Sequence, residues 1–158
     1  MIHTILVPLD GSARAEAILP KVATLAAALE ADVVLLRVVK ARVFPGVDPS
    51  EAQVRVVRDA EEYLAVKAEQ LGLWGLPART AVRYGEPVHE ILDHIRSASV
   101  TLVAMASRGH GAMRRLILGS VAAAVLRNAG VPVLLLGPEG HVSARGLGEQ
   151  SAGVRRAA

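Results

Sequence analysis

The sequence predicts an α/β fold: an open five-stranded parallel sheet with helices on both faces. Short, almost uninterrupted apolar segments alternate along residues 4–136 with longer segments whose apolar residues recur every three or four positions. Strands that are apolar throughout are typical of parallel sheets covered on both faces. The chain has 158 residues, no cysteine and only 3% aromatic residues. We therefore expect one domain with an aliphatic core, without disulfides or thiolate metal sites.

Apolar runs and turn residues define the first two strands and the helix between them. Thr4–Leu9 is apolar and ends at an Asp-Gly turn, which indicates a buried strand. From Ser12 onward apolar residues follow a helical spacing. Because this spacing continues past Pro20, the proline predicts a kink and not the end of the helix. Asp32–Val39 is the second predicted strand.

The rest of the chain continues the alternation. A helix is predicted from an N-cap at Asp48, which is followed by Pro49, to about Leu71. The remaining predicted elements are a strand over Ala78–Tyr84, a helix over Val88–Ser97, a strand over Val100–Ala106, a helix over Ser120–Asn128 and a strand over Val131–Leu136. Residues 1–137 form the predicted domain, and residues 138–158, which lack an apolar period, are expected to be a mobile tail.

The composition limits the classes of partner. A formal charge of +3 and a pI of about 9.8 suit small anionic ligands, and the arginines of the tail are too sparse to indicate nucleic-acid binding. No run of about 18 apolar residues is present, so no membrane-spanning helix is expected. The apolar N-terminus is short and contains Asp10, unlike a signal peptide. We therefore expect a cytoplasmic protein without nucleic-acid or membrane partners.

The segment MASRGHGAMRRLILGSV, residues 105–121, is a candidate binding loop. It follows the fourth predicted strand, and in open parallel sheets ligands bind beyond the carboxyl ends of the strands. Gly109 and Gly111 let the backbone approach a ligand closely. Gly119 and Ser120 open a helix whose first amide groups favour an anion. Positive charge nearby comes from Arg108, Arg114 and Arg115.

Two common nucleotide motifs are absent from the chain. The dinucleotide fingerprint requires Gly-x-Gly-x-x-Gly after the first strand, where this chain has PLDGS. A Walker A loop requires a lysine before the serine, whereas Gly119 directly precedes Ser120 here. From these residues alone another interpretation stays open, in which Ser120 caps a helix and the glycines form turns without any ligand.

Four segments, ILVPLDGS, VVLLRVV, YGEPVHEIL and MASRGHGAMRRLILGSVAAAVL, carry a resemblance over Ile2–Leu136. They are similar to the universal stress protein family, in its single-domain, ATP-binding branch. The ATP motif of that family is Gly, two residues, Gly, nine residues, Gly and then Ser or Thr. Gly109, nine further residues, Gly119 and Ser120 match it, while Ala106 replaces the first glycine and adds a methyl group near the expected ribose.

The resemblance implies the strand order 3-2-1-4-5 and an ATP site where strands one and four adjoin. Adenosine would lie against the end of strand one, with Val38 packed on adenine. The phosphates would lie along the glycine loop to Gly119 and Ser120, with Mg²⁺ or Mn²⁺ bridging their oxygens. The implied binding residues are Pro8, Leu9, Asp10, Val38, Met105, Ala106, Arg108, Gly109, His110, Gly111, Gly119, Ser120 and Val121.

The resemblance also implies a role in stress response, with ATP as a regulatory or signalling ligand, and homodimerisation through the apolar edge strand Val131–Leu136. No Ser–His–acid arrangement or general base for attack on a γ-phosphate is recognisable, so we do not expect a dedicated enzyme. Slow ATP hydrolysis or nucleotidyl transfer stays open. Ala106 favours another alternative, a dimeric interaction module of the same fold that binds no nucleotide. The sequence does not separate ATP from AMP or cyclic AMP.

Two histidines fall in the predicted helix Val88–Ser97. His89 and His94 are five positions apart, so they do not share one helix face as a metal-binding pair would. We expect both of them on the surface.

Overall fold

A computed structural model describes residues 1–41, 45–46, 48–107, 118–136 and 142–145. Their elements are β1 (Thr4–Pro8), α1 (Ala13–Glu16), α2 (Leu19–Leu29), β2 (Asp32–Val39), α3 (Pro49–Leu73), β3 (Ala78–Tyr84), α4 (Pro87–Ser97), β4 (Leu102–Ala106), α5 (Ser120–Asn128), β5 (Val133–Leu136) and β6 (Val142–Arg145). The sheet has the order β3-β2-β1-β4-β5-β6. Strands β1 to β5 are mutually parallel, which confirms the predicted fold class and strand order.

Both faces of the sheet are buried, because alternate residues of each strand point to opposite sides. On β1, Ile5 and Val7 belong to the apolar cluster that also contains residues of α2 and α3, whereas Leu6 belongs to the cluster with α4 and α5. The side chains of these three residues are fully buried. The central position of β1 in the sheet explains this complete burial, since helices cover it on both sides.

Most predicted elements agree with the structure, and the helix across Pro20 is the clearest error. The predicted kink is a break: α1 ends at Glu16 and α2 begins at Leu19. Pro20 therefore lies in the first turn of α2. A proline there costs little, because the first amides of a helix have no intrahelical acceptor. By contrast, Asp48 is the N-cap of α3 as predicted, and its Oδ1 accepts a hydrogen bond from the Ser50 amide at 2.7 Å.

An additional strand, β6, runs antiparallel beside β5, where only a tail was expected. The pairs extend from Val133↔Arg145 to Leu136↔Val142. A strand has one row of amide and carbonyl groups on each edge, and β4 and β6 occupy the two edges of β5. Pairing of two copies through the predicted dimer strand therefore requires that β6 leave this edge. Apart from residues 142–145, the predicted tail lies outside the described residues.

No helix within the described ranges combines the length and apolar character needed to cross a bilayer.

His94 is buried, with 9% of its surface exposed, so the expectation that both histidines lie on the surface was wrong for it. His89 is exposed as predicted. The Nδ1 atom of His94 accepts a hydrogen bond from Arg83 Nε at 3.4 Å, and its Nε2 has no hydrogen-bond partner among the described residues. Burial and the charge of Arg83 hold the pKa of His94 below its ordinary value of 6.5, against a smaller opposing effect of Asp93. The imidazole is therefore neutral at pH 7.

This lowered pKa predicts an acid-sensitive fold. Below about pH 6.5 the unfolded chain takes up a proton at this histidine more readily than the folded chain, so the free energy of unfolding falls as the pH falls. In urea titrations from about pH 7.5 to about pH 5.5, we expect His94→Leu to flatten this dependence. His89→Leu, on the exposed side of the same helix, is the control and retains the wild-type dependence. An unchanged dependence in His94→Leu would contradict the assignment.

Candidate functional site

A cavity of about 340 Å³ opens at the carboxyl ends of β1 and β4. Strand order reverses between these two neighbours, which is where ligands bind in open α/β sheets. Its volume lies at the lower end of the range of about 300–1,000 Å³ that is typical of small-molecule sites. All of the predicted binding residues that the structure describes line it: Pro8, Leu9, Asp10, Val38, Met105, Ala106, Gly119, Ser120 and Val121.

The other predicted residues, Arg108, Gly109, His110 and Gly111, lie outside the described residues, as do Arg114 and Arg115. Their part in binding therefore stays a prediction.

Several further residues line the cavity that the sequence analysis did not assign: Ser12, Arg14, Ala15, Leu36, Pro87, Ile91, Ser107 and Ala122. For Leu36 a signal was available, because it lies two positions before Val38 on β2 and so points to the same face of the sheet. Ala122 likewise follows Val121 directly. Pro87 and Ile91 belong to α4, whose approach to the cavity depends on tertiary packing beside α5 and not on any local pattern.

The floor of the cavity is apolar and is fixed by the backbone. Leu36 and Met105, which belong to the apolar cluster on the cavity side of the sheet, expose only 0% and 6% of their surface. The Leu9 amide donates to the Leu36 carbonyl at 2.8 Å, which extends the β1–β2 pairing one residue past the end of β1. Such a wall suits the face of a planar, apolar ring system.

Ser107 fixes the adjoining ends of β4 and β5. Its amide donates to the Leu136 carbonyl at 2.9 Å, and its hydroxyl donates to the same oxygen at 3.1 Å. Only 2% of the surface of Ser107 is exposed to solvent. The two bonds hold Ala106, the residue before it, against the cavity.

Asp10 brings a negative charge to the side of the cavity formed by β1. Its Oδ1 accepts hydrogen bonds from the amide of Ser12 at 2.9 Å and from the hydroxyl of Ser12 at 2.6 Å. Burial alone raises the pKa of Asp10, but these two bonds and the charge of Arg37 outweigh it, so the pKa lies below the ordinary value of 3.8. The carboxylate is therefore ionised at neutral pH, and a hydroxyl group is a better partner for it than a phosphate.

The start of α5 brings the opposite polarity to the other side. Gly119 is the N-cap and has no side chain that could accept a hydrogen bond from the first amides of the helix. By contrast, Ser12 caps α1, and its Oγ accepts from the Ala15 amide at 3.2 Å. Gly119, Ser120 and the residue after it all line the cavity. Among the described residues no side chain caps these first amides, and together with the helix dipole they make this end suitable for an anion.

The cavity thus has three chemically different parts: an apolar floor, a carboxylate and an uncapped helix start. A ligand with a flat apolar ring, hydroxyl groups and a terminal anionic group matches all three. In the part of the chain that the structure describes, no three or more His, Asp or Glu side chains are grouped to hold a metal ion. A cation that binds through the oxygens of an anionic ligand does not need such a group.

The universal stress protein family model matches residues 1–137. The universal stress protein YxiE of Bacillus subtilis is 34% identical over 83 residues, a stretch that covers 52% of this chain and 51% of YxiE. The matched part of the chain thus spans about half the length of that relative.

Solved structures show the same architecture. The structure of the hypothetical protein MJ0577 has a TM-score of 0.73 and 26% sequence identity to this chain. The likeness covers 87% of this chain and 96% of MJ0577. A universal stress protein in complex with cAMP has a TM-score of 0.58 and 21% identity over 86% of this chain and 97% of its own, a likeness that shows the fold. The family model covers most of the chain, including every residue that lines the cavity, and the chain therefore belongs to the universal stress protein family.

Proposed function

We propose that this universal stress protein binds ATP in the cavity at the ends of β1 and β4, as a regulatory ligand. The observation that carries the proposal is the position of the Asp10 carboxylate and the uncapped start of α5 on one apolar cavity. Adenosine monophosphate or a free nucleoside would use the floor and the carboxylate but would leave the helix start less occupied. A solved relative in complex with cAMP supports an adenine nucleotide as the ligand class.

In this proposal the adenine ring packs on Val38 and the apolar floor, and a ribose hydroxyl donates to Asp10. The phosphates extend toward Ser120, where free amides compensate their charge. The predicted contacts of Arg108, Gly109, His110 and Gly111 would complete the phosphate site. Asp10 itself argues for this direction, because its negative charge would repel phosphates placed beside it.

Mg²⁺ or Mn²⁺ would bind through the phosphate oxygens. The hydroxyl of Ser120 is one protein oxygen that lines the phosphate end of the cavity. The cation would neutralise part of the phosphate charge that the amides at the start of α5 leave uncompensated.

Bound ATP is proposed to act in a cytoplasmic stress response as a signal and not as the substrate of a dedicated enzyme. A homodimer paired through Val131–Leu136 is part of the proposal, with β6 displaced from the β5 edge in the dimer. No nucleic-acid or membrane partner is proposed.

The first experiment measures the melting temperature of purified, nucleotide-free protein against ATP concentration, with Mg²⁺ or with EDTA. Ligand at one hundred times its dissociation constant adds about 2.7 kcal/mol to the free energy of unfolding. Each 1 kcal/mol raises the melting temperature of a domain of this size by about 2–4 °C, so we expect an increase of about 5–11 °C. The increase should saturate with ATP and shrink when EDTA removes the metal. GTP, whose ring carries a carbonyl at C6 in place of the amino group and an additional amino group at C2, serves as the comparison nucleotide.

A flat response to ATP, AMP and cAMP would overturn the proposal. It would favour the alternative of a dimeric interaction module that binds no nucleotide. Ala106 is the observation behind this alternative, because it lines the cavity where the family motif has glycine. A saturable response to AMP or cAMP but not to ATP would retain the site and correct the ligand.

A further inference from the structure

A chain of charged and aromatic side chains supports the β1–α1 turn from behind the cavity. The Nη1 atom of Arg37 donates to the Leu9 carbonyl at 3.4 Å, and its guanidinium carbon lies 5.2 Å from the centre of the Tyr63 ring. The Tyr63 hydroxyl donates to Glu16 Oε1 at 2.9 Å, and Lys67 Nζ donates to Glu16 Oε2 at 2.7 Å. These contacts link β2, α1 and α3 to the turn that follows β1.

Arg37 lies on the opposite face of β2 from the cavity. Its neighbours Leu36 and Val38 both line the cavity and belong to the apolar cluster on that face. Because side chains alternate along a strand, Arg37 points to the other face, where Tyr63 packs against the second cluster. The guanidinium therefore does not need to touch a ligand to affect the site.

The guanidinium also fits closely against Gly11. Gly11 has a φ of +83°, in the left-handed region, and a Cβ atom built there would lie 2.6 Å from Arg37 Nη1. The turn and the arginine thus occupy adjoining space with no room for a methyl group. The 3.4 Å bond to Leu9 is long for a hydrogen bond, so close packing and charge act together with it.

Three residues of this turn line the cavity, Leu9, Asp10 and Ser12, and Arg37 touches the first and attracts the second. It donates to the carbonyl of Leu9, and its charge contributes to the lowered pKa of Asp10. Arg37 is itself oriented by the Tyr63 ring, which Glu16 and Lys67 hold in place. Side chains of α3 therefore help, through Arg37, to hold the Asp10 carboxylate in place.

We infer that Arg37 is a positioning residue, which holds Leu9 and Asp10 in place for the nucleoside part of the ligand and has no role at its phosphates. This inference rests on the proposed function and assigns to one end of that site a residue outside the cavity. Loss of Arg37 should weaken every ligand that contains adenosine by a similar factor. It should leave the affinity for the phosphate chain alone unchanged.

The test compares wild type with Arg37→Met in the full chain, by calorimetric titration with ATP, adenosine and inorganic tripolyphosphate. We expect the dissociation constants of ATP and adenosine to rise about tenfold, as loss of one charged hydrogen bond would produce, and that of tripolyphosphate to stay the same. Arg79→Met is the matched control, because Arg79 pairs with Asp32 at the far end of β2, at 3.2 Å. Equal weakening of all three ligands, or no weakening of adenosine, would overturn the inference.

A second readout separates positioning from a general loss of stability. NMR titration of the Asp10 carboxyl in the free protein should show a higher pKa in Arg37→Met, and Arg37→Lys should restore most of the wild-type value because it keeps the charge. An unchanged Asp10 titration would overturn the inference. If wild type binds neither ATP nor adenosine, both the proposed function and the inference about Arg37 fail. If wild type binds both and Arg37→Met binds them equally well, only the inference fails.

Discussion

Gly119→Leu is expected to weaken ATP binding about 100-fold or more while the domain still folds. Gly119 has φ −63° and ψ 154°, a conformation open to any residue, so the substitution causes no backbone strain. Its new side chain would project from the cavity wall beside the first amides of α5, where the phosphates are proposed to bind. We expect the dissociation constant for ATP to rise about 100-fold or more, equivalent to about 2.7 kcal/mol of binding free energy.

Calorimetric titration with ATP and adenosine provides the measurement. Because the steric block lies at the phosphate end, ATP should lose more affinity than adenosine. Gly72→Leu is the matched control: Gly72 is exposed in α3, and a Cβ there meets nothing within 4 Å. Leucine is a poorer N-cap than glycine, so Gly119→Leu should also lose about 1 kcal/mol of stability. Unchanged affinity for ATP would show that the phosphates do not bind at α5.

The two ends of the site were predictable from the sequence to different degrees. Asp10 follows and Ala106 ends a predicted strand, and parallel strands place their carboxyl ends on one side of the sheet, so local patterns were sufficient to place both residues at the same edge. That these two strands adjoin was implied only by the family resemblance. Gly119 and Ser120 form the start of a helix that was also predicted with the bounds it has. The contribution of α4 could not be predicted, because it depends on how that helix packs beside α5.

The errors have a common origin in tertiary structure. A helical spacing on both sides of Pro20 is compatible with one kinked helix or with two short ones, and the spacing alone does not decide between them. His94 is polar and lies on an amphipathic helix, but the fold buries it beside Arg83. Arg37 interrupts an apolar strand, and nothing in its neighbours indicates that Tyr63, 26 positions later, covers it.

The strand β6 illustrates a different limit. Its sequence, VSAR, alternates apolar and polar residues over only four positions, and its pairing with β5 uses backbone groups that every residue type carries. A sequence pattern therefore could not predict it. Its consequence for assembly is nevertheless large, since β6 occupies the edge through which two copies were expected to pair.

A chain that ends at Gly137 is expected to dimerise more strongly than the full chain. Removing β6 leaves the outer amides and carbonyls of Val133–Leu136 without strand partners, and a second copy can pair with them about a two-fold axis. We expect the dimer dissociation constant to fall at least about tenfold, because the full chain must first displace β6. Sedimentation equilibrium over a range of protein concentrations measures this constant for both chains.

Substitutions in the full-length chain test the same competition without shortening it. Proline lacks the amide hydrogen, and in an antiparallel strand one of any two adjacent amides faces the partner. The double variant Ser143→Pro, Ala144→Pro should therefore release β6 and strengthen the dimer as truncation does. The matched double variant Ser143→Thr, Ala144→Val keeps both amides and should behave like wild type. If the full, truncated and proline-substituted chains share one dissociation constant, β6 does not compete with dimerisation, and any dimer must use another surface.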